Sequence, residues 1–327
     1  MARQRPGEFA LIERYFRPLA TDRGAFALAD DAAIYRQRPG DDLVLTVDTV
    51  AAGVHFFADD PPASIARKAL RVNLSDLAAK GAEPYGYLLS LALPDDWTEP
   101  WLGAFARALA ADQKTYGVSL LGGDTTRASG GLTISITALG RIPKGEMVLR
   151  SGARPGDAIF VSGTIGDGAL GLLGRSGAVP GGAGAAKHLR DRYLHPQPRT
   201  RLAAAIRRHA SAAMDVSDGL VGDLAHICEA SEVGAGIAVD RVPLSAAARA
   251  CLAADPTLLA TILNGGDDYE ILATVPEAAA ERFAADAKAA RVAVTRIGAI
   301  IKGKGPPVVR DATGKAIRLT GQSHTHF

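Results

Sequence analysis

Aspartate recurs in this chain at strand ends and beside glycine turns. Asp30-Asp31 follows a Gly/Ala-rich segment, Asp48 ends an alternating run, and Asp124 follows Gly122-Gly123. Asp215 and Asp218 bracket Val216-Ser217, and Asp267-Asp268 follows Gly265-Gly266. This short acid holds its carboxylate close to the backbone, which suits rigid placement. Magnesium prefers oxygen donors in near-octahedral geometry at ~2.0–2.1 Å, with one or two carboxylates completed by waters and substrate phosphates. Each aspartate alone has an ordinary explanation, because Asp forms turns and caps helices. Ser217-Asp218-Gly219, before a helical stretch, reads as such a cap. Asp76 resists that explanation: it falls inside a helical pattern, where Asp has poor propensity and caps nothing. Asp48 has no turn role either. As a set, the acids point to divalent cations and the phosphate-rich substrates such cations accompany.

The common nucleotide signatures are missing. The chain contains no G-x-x-x-x-G-K-[ST] run and no protein-kinase set of glycine loop and H-R-D,. One G-x-G-x-x-G occurs at Gly166, Gly168 and Gly171. No acid at a strand end follows ~20 positions later to hold a ribose, and Asp191 lies in a polar helical stretch, so the motif reads as a tight strand-to-helix turn. His55, after Gly53-Val54, is by residue type more often an ordinary surface or core histidine than a ligand. Arg67, Lys68 and Lys80 read as the solvated side of a helix, and Cys228 as buried packing. No Ser-His-Asp or Cys-His pair suggests itself as a nucleophile and base.

The elements that must position these residues follow from periodicity. Glu8 to Leu19 has helical spacing, and Asp42 to Val50 alternates as a strand with Asp48 at its end. Pro61-Pro62 opens a helix from Ala63 to Lys80, closed at Gly81. Tyr85 to Leu93 is a strand, Trp97 to Tyr116 a helix, and Val118 to Leu121 a short strand running into a Gly122-Gly123-Asp124 turn. Leu132 to Ile142 alternates cleanly. Gly, Pro and charged residues from Pro143 to Pro155 mark a domain boundary, giving domains 1–145 and 146–327. In the second, Asp157 to Ser162 is a strand and Ala178 to Ala186 a loop. Asp218 to Ser231 is helical, Gly236 to Val242 a strand, and Leu258 to Leu263 leads into Gly265-Gly266-Asp267. Ile271 to Val275 is a strand, Glu277 to Ala290 a helix, and Val292 to Ile301 a strand. Ser75-Asp76 precedes the first Gly-Gly-Asp by 48 positions and Ser217-Asp218 the second by 49; two related halves would account for this, as would chance recurrence.

Composition narrows the class. The 327 residues are 47% hydrophobic and 22% charged, an ordinary globular balance with material for two cores. A net charge of +2 without a basic tail singles out neither nucleic acid nor a membrane surface as partner. Two cysteines without metal-type spacing make a reducing compartment the default. No secretory signal is expected at the N-terminus, and the longest mostly aliphatic run, Leu88 to Leu93, is far below the ~20 residues of a membrane helix. A cytoplasmic protein is expected.

The motifs in order carry a resemblance. Gly7-Glu8-Phe9, Asp30-Asp31-Ala32, Val47-Asp48-Thr49 and Gly53-Val54-His55-Phe56 are followed by Val72 through Ala82 (VNLSDLAAKGA) and Gly122-Gly123-Asp124-Thr125-Thr126. Then come Arg150 through Asp157 (RSGARPGD), Met214 through Leu220 (MDVSDGL) and Gly265-Gly266-Asp267-Asp268-Tyr269-Glu270. From Gly7 to near the C-terminus the chain resembles the bacterial thiamine-monophosphate kinases, of the superfamily that includes aminoimidazole ribonucleotide synthetase and selenophosphate synthetase. The resemblance implies an α+β fold of two domains, aminoimidazole ribonucleotide synthetase-like, with an N-terminal sheet domain forming a homodimer and a C-terminal α/β sandwich closing on nucleotide and substrate. It implies Asp31, Thr46, Val47, Asp48, Asp76, Asp124, Asp215 and Asp218 as ligands of several magnesium ions, Val47 through its backbone oxygen because its position is often Thr in the family. It implies Tyr116, Gly123, Asp124, Arg150 and Ser217 as ATP contacts, and His55 and Asp267 as contacts to thiamine monophosphate. Asp267 is often Glu in the family, one methylene longer. A C-terminal aromatic expected to stack on substrate is replaced within Ser323-His324-Thr325-His326-Phe327, leaving His324 or Phe327 as substitute.

The implied reaction moves the γ-phosphoryl group of ATP onto thiamine monophosphate, the last step in making thiamine diphosphate. A phosphate nucleophile has a second pKa of ~6 and is already ionised at neutral pH, so no catalytic general base is expected. Selenophosphate synthetase typically needs a reactive cysteine or selenocysteine near its N-terminus, and this chain has no cysteine before Cys228. Aminoimidazole ribonucleotide synthetase fits the His55 context and the Asn73–Gly81 motif less well. A metal-dependent phosphohydrolase and a non-catalytic Mg-ATP sensor remain open at this point.

Overall fold

Asp41–Ala51 forms strand β1, burying Val44 and Val50 while Leu45 and Val47 stay 60% and 59% exposed. That two-residue alternation belongs to a sheet covered on one face. In the computed structural model, which describes residues 7–177, 179–317 and 319, the chain divides into two compact units. One is the chain up to Leu77 together with Glu83–Gly145; the other is Ala78–Ala82 together with the chain from Glu146 onward.

The first unit holds β1, β2 (Glu83–Leu93), β3 (Ser119–Arg127) and β4 (Thr133–Pro143) in the order β1-β4-β2-β3. β4 runs antiparallel to β1 and β2, and β3 runs parallel to β2. Helix α1 (Glu8–Leu11) continues as π and 3-10 turns to Leu19. α2 (Pro62–Ala79) and α3 (Glu99–Tyr116) are the long helices. α3 begins where the Thr98 hydroxyl accepts the Trp101 N–H at 3.3 Å, an ordinary Ncap. Asp48 N–H donates to Asn73 on α2, the Arg71 guanidinium on α2 binds Asp112 on α3, and Gln113 on α3 donates to the Tyr87 hydroxyl on β2. These bonds tie both helices to one face of the sheet, and the opposite face presents Leu45, Val47 and Leu88.

Two expectations fail along β3 and around α2. Gly122-Gly123-Asp124 is not a turn but the middle of β3, paired with Leu88, Leu89 and Ser90 after a register shift. A Cβ on Gly123 would lie 1.9 Å from the Leu89 carbonyl oxygen, and its φ is +159°. Gly123 serves close strand approach, not reversal,. Lys68 and Lys80 do not form a solvated helix side. α2 is buried almost all round, as a core helix is. Lys68 is 3% exposed and its Nζ donates to the His55 carbonyl at 2.9 Å; half-buried Lys80 donates to the Ala213 carbonyl at 2.6 Å, and Arg67 is also half-buried. The long aliphatic stems carry these charges through apolar surroundings to an acceptor.

The second unit is a six-stranded sheet, β10-β7-β9-β5-β8-β6, of β5 (Ala158–Ser162), β6 (Ala212–Asp215), β7 (Gly234–Ala238), β8 (Ile271–Val275), β9 (Val294–Ile301) and β10 (Val308–Arg310). Only the β10–β7 pair is parallel. One face packs Ile159, Val161, Met214 and Leu272 against α4 (Asp167–Ser176), α5 (Gly182–Leu194), α7 (Leu220–Ser231), α8 (Ala246–Ala254) and α9 (Leu259–Asn264). The other packs Phe160, Ala213 and Ala273 against α6 (Ala203–His209) and α10 (Ala280–Ala289). This is a three-layer sandwich. α5 starts at Gly182, inside the stretch expected to be loop; Ala185, Ala186 and Leu189 are good helix formers that outweigh the preceding glycines. The repeated motifs differ locally: Ser75-Asp76 lies in the interior of α2, whereas Ser217-Asp218 forms the turn before α7.

Candidate active site

In the first unit, the Thr46 hydroxyl on β1 donates to Asp76 Oδ2 on α2 at 2.6 Å. Two residues further along β1, the Asp48 N–H donates to Asn73 Oδ1 at 3.0 Å, and Asn73, fully buried, donates back to the Ala69 carbonyl. Asp76 inside a helix thus faces a hydroxyl across the strand. β1 runs three residues past Asp48, to Ala51. Asp48 shares a cross-strand row with Ile136, Leu89 and Gly123. With strands ~4.8 Å apart, three steps put Asp48 and Gly123-Asp124 ~14 Å apart on opposite edges of the sheet. Asp31 is exposed, its N–H held by Asp30 Oδ1 at 2.8 Å. Val47 is exposed, and Tyr116 ends α3 with the Arg71 guanidinium 5.7 Å from its ring centre. His55 Nδ1 accepts the Ala51 N–H at 3.2 Å, which leaves the ring hydrogen on Nε2.

In the second unit, Asp215 ends β6, buried at 6%. α7 takes no side-chain cap from Ser217 or Asp218, so the capping explanation for that motif does not hold. Instead the turn is gripped from two sides. The Asp267 N–H donates to the Ser217 carbonyl at 2.9 Å, and the Asp218 N–H donates to Asp223 Oδ2 at 3.1 Å. A Cβ on Gly266 would sit 2.0 Å from the Ser217 oxygen, so that contact requires glycine. Asp267 and Tyr269 adopt left-handed φ of 69° and 52°, a cost that surrounding structure must hold in place. Arg150 is exposed, its carbonyl accepting from Ser231. Among the described residues, no three His, Cys, Asp or Glu side chains form a ready cage for a metal.

Residues 29–142 match the family described as AIR synthase related protein, N-terminal domain, and residues 154–310 its C-terminal domain. A thiamine-monophosphate kinase of Caulobacter vibrioides is 48% identical over 92% of this chain and 86% of its own length. The chain belongs to the thiamine-monophosphate kinase family. It is thus an enzyme of the kinase class. The crystal structure of thiamine-monophosphate kinase from Stenotrophomonas maltophilia K279a is 40% identical, with a TM-score of 0.82 over 95% of this chain and 98% of that one. AaThiL complexed with AMPPCP and TMP is 30% identical, with a TM-score of 0.77 over 100% of both chains.

Against that kinase fold, the structure brings Thr46 to Asp76 and Ser217 to the Asp267 backbone. It keeps Asp48 and Asp124 on separate strand edges. His324 lies outside the described residues. Residue-by-residue reading missed the supports. Asp268, 2% exposed, accepts the Gly166 N–H at 2.7 Å and the Gly168 N–H at 3.1 Å, so its carboxylate fills the N-terminus of α4 where a dinucleotide phosphate would otherwise sit. Burial pushes the Asp268 carboxyl well above the ordinary range, against those two N–H bonds. Glu270, fully buried, accepts from Ser162, Arg192 and Arg199. The Gly-Gly-Asp-Asp-Tyr-Glu motif contained both acids, but their partners are over 70 residues away.

Proposed function

We propose that the chain transfers the γ-phosphoryl group of ATP directly to the phosphate of thiamine monophosphate, forming thiamine diphosphate, with magnesium ions as cofactor. The observation that carries the reading is full-length similarity to AaThiL, solved with AMPPCP, a triphosphate that resists cleavage, and TMP. The 48% identity to a thiamine-monophosphate kinase supports it.

The donor set fits magnesium. Asp31, Thr46, Asp48, Asp76, Asp124, Asp215 and Asp218, with the backbone oxygen of Val47, offer only hard oxygen, and the 2.6 Å Thr46–Asp76 contact already pairs two donors,. When bound, the ions would supply positive charge against the phosphates and help orient them. Without cations this chemistry is unfavourable: two unit charges ~4 Å apart repel by ~4 kcal/mol even at an effective dielectric of 20. Arg150 adds a fixed positive charge toward the triphosphate, while Tyr116, Gly123, Asp124 and Ser217 contact ATP. His55 donates from Nε2 and, with Asp267, meets thiamine monophosphate. No general base is required, because the attacking phosphate is already ionised. The domain 1–145 carries most of the metal and ATP ligands together with His55, and 146–327 carries Asp215, Asp218, Arg150, Ser217 and Asp267. The exposed Leu45, Val47 and Leu88 face supports a homodimer formed through the first unit's sheet,.

Incubation with ATP and thiamine monophosphate, with and without magnesium, tests this by chromatography of the thiamine species. Thiamine diphosphate and ADP should appear only with the metal. Free phosphate without thiamine diphosphate would replace the reading with a phosphohydrolase. Asp48→Asn should abolish turnover with the fold intact.

A further inference from the structure

Asp223 sits one turn into α7 and is fully buried. A carboxylate there is unfavourable for folding: burial raises its pKa to about 7, only partly offset by the backbone N–H groups of Asp218 and Ser217 and by the Arg150 charge. One oxygen, Oδ1, has no hydrogen-bond partner among the described residues. An apolar side chain of the same shape would pack there without that cost.

What the carboxylate does hold is the Ser217-Asp218 turn. Oδ2 accepts the Asp218 N–H at 3.1 Å. From the other side, the Ser217 carbonyl accepts the Asp267 N–H at 2.9 Å. The Ser217–Asp218 peptide is therefore fixed at both its oxygen and its nitrogen, and the Cβ positions of Ser217, Asp218 and Asp267 are set relative to one another. α7 supplies no other side-chain bond to this turn through its Ncap.

We propose that Asp223 is a positioning residue for phosphoryl transfer, fixing the Ser217-Asp218 turn so that both side chains are preorganised for the magnesium–triphosphate. This rests on the kinase reading above, since it assigns that turn to metal and nucleotide. Preorganisation of binding groups by a fixed outer partner commonly changes metal affinity ten- to a hundredfold.

The test compares Asp223→Leu, which keeps the shape but removes the acceptor, with Asp223→Asn, which keeps an oxygen for the Asp218 N–H. Calorimetric binding of Mg-AMPPCP, the magnesium dependence of the rate, and thermal unfolding are measured on full-length protein. D223L should melt no lower than wild type, bind Mg-AMPPCP about tenfold more weakly and need about tenfold more magnesium. D223N should recover most of that loss. Wild-type binding by a folded D223L overturns the proposal, and so does a D223N as impaired as D223L, because then acceptance of the N–H is not what matters. If D223L does not fold, Asp223→Ser, shorter by one atom, takes its place with the same expected weakening, and its normal binding would equally overturn the proposal. Wild-type protein that binds Mg-AMPPCP yet leaves thiamine monophosphate untouched would refute the kinase reading while leaving these binding comparisons decisive.

Discussion

The Thr46 hydroxyl donates to Asp76 Oδ2 at 2.6 Å across 30 residues of sequence, joining a strand residue to an aspartate in a helix interior. The bond gives Asp76 a role in its helix interior, because each side chain orients the other's oxygen. Thr46→Val removes the donor and one oxygen ligand while preserving shape. The magnesium concentration for half-maximal activity should rise about ten- to a hundredfold, with stability changed by no more than about 1 kcal/mol. Magnesium titration of the rate, beside a thermal melt, measures both. An unaltered magnesium requirement would exclude the pair from the metal site.

Gly123→Ala should be among the most damaging small substitutions in the first unit. The added Cβ would meet the Leu89 carbonyl oxygen at 1.9 Å, so β3 must move away from β2 or lose its pairing. A loss of several kcal/mol, at the extreme of single substitutions, should appear in urea unfolding, with activity lost in parallel. A native-like melt would show that the strand pair tolerates displacement.

Much of this geometry was legible in the residues. β1, β4 and β8 announce themselves by alternation or by short apolar runs, and α3 was expected from Trp97 to Tyr116, two residues early at its start because Thr98 caps it. The aspartates read as strand ends and turns proved less regular: Asp48 lies three residues inside β1 and Asp124 in the middle of β3. What stayed hidden depends on partners distant in sequence. Gly122-Gly123 looks like a turn until a parallel strand demands close approach. Lys68 looks solvated because nothing local reveals that α2 is covered all round. Asp223 looks like a favourable acid in a helix's first turn, and only the fold shows that it is buried beneath Ser217-Asp218. The same holds for Asp268 and Glu270, whose acceptor roles require β5, α4 and α5 to be assembled first.

The apolar strip of Leu45, Val47 and Leu88 should be an interface. Wild-type protein should sediment at twice the chain mass at micromolar concentration, and Leu45→Asp combined with Leu88→Asp should sediment at the mass of one chain with unchanged circular dichroism. These side chains lie on the face opposite α2 and α3, so charges there need not disturb the core. A wild-type monomer throughout the accessible concentration range would remove the dimer from the account.

Asp223 gives stability a defined pH dependence in metal-free protein. Its carboxyl rises from 3.8 to about 7 on folding, chiefly through burial, so the folded state holds the proton more tightly than the unfolded chain. Below about pH 4 both states are protonated and no penalty exists. Between about pH 4 and 7 the unfolded chain ionises first, so stability falls as pH rises; above about 7 the penalty is complete, on the order of 4 kcal/mol. Asp223→Leu lacks this group. Its stability relative to wild type, from urea unfolding in the presence of EDTA, should therefore improve by about 2–3 kcal/mol between pH 5 and pH 8. A difference that stays flat with pH would mean that Asp223 is ionised with an ordinary affinity for protons, and one that runs the other way would mean that folding favours its charge.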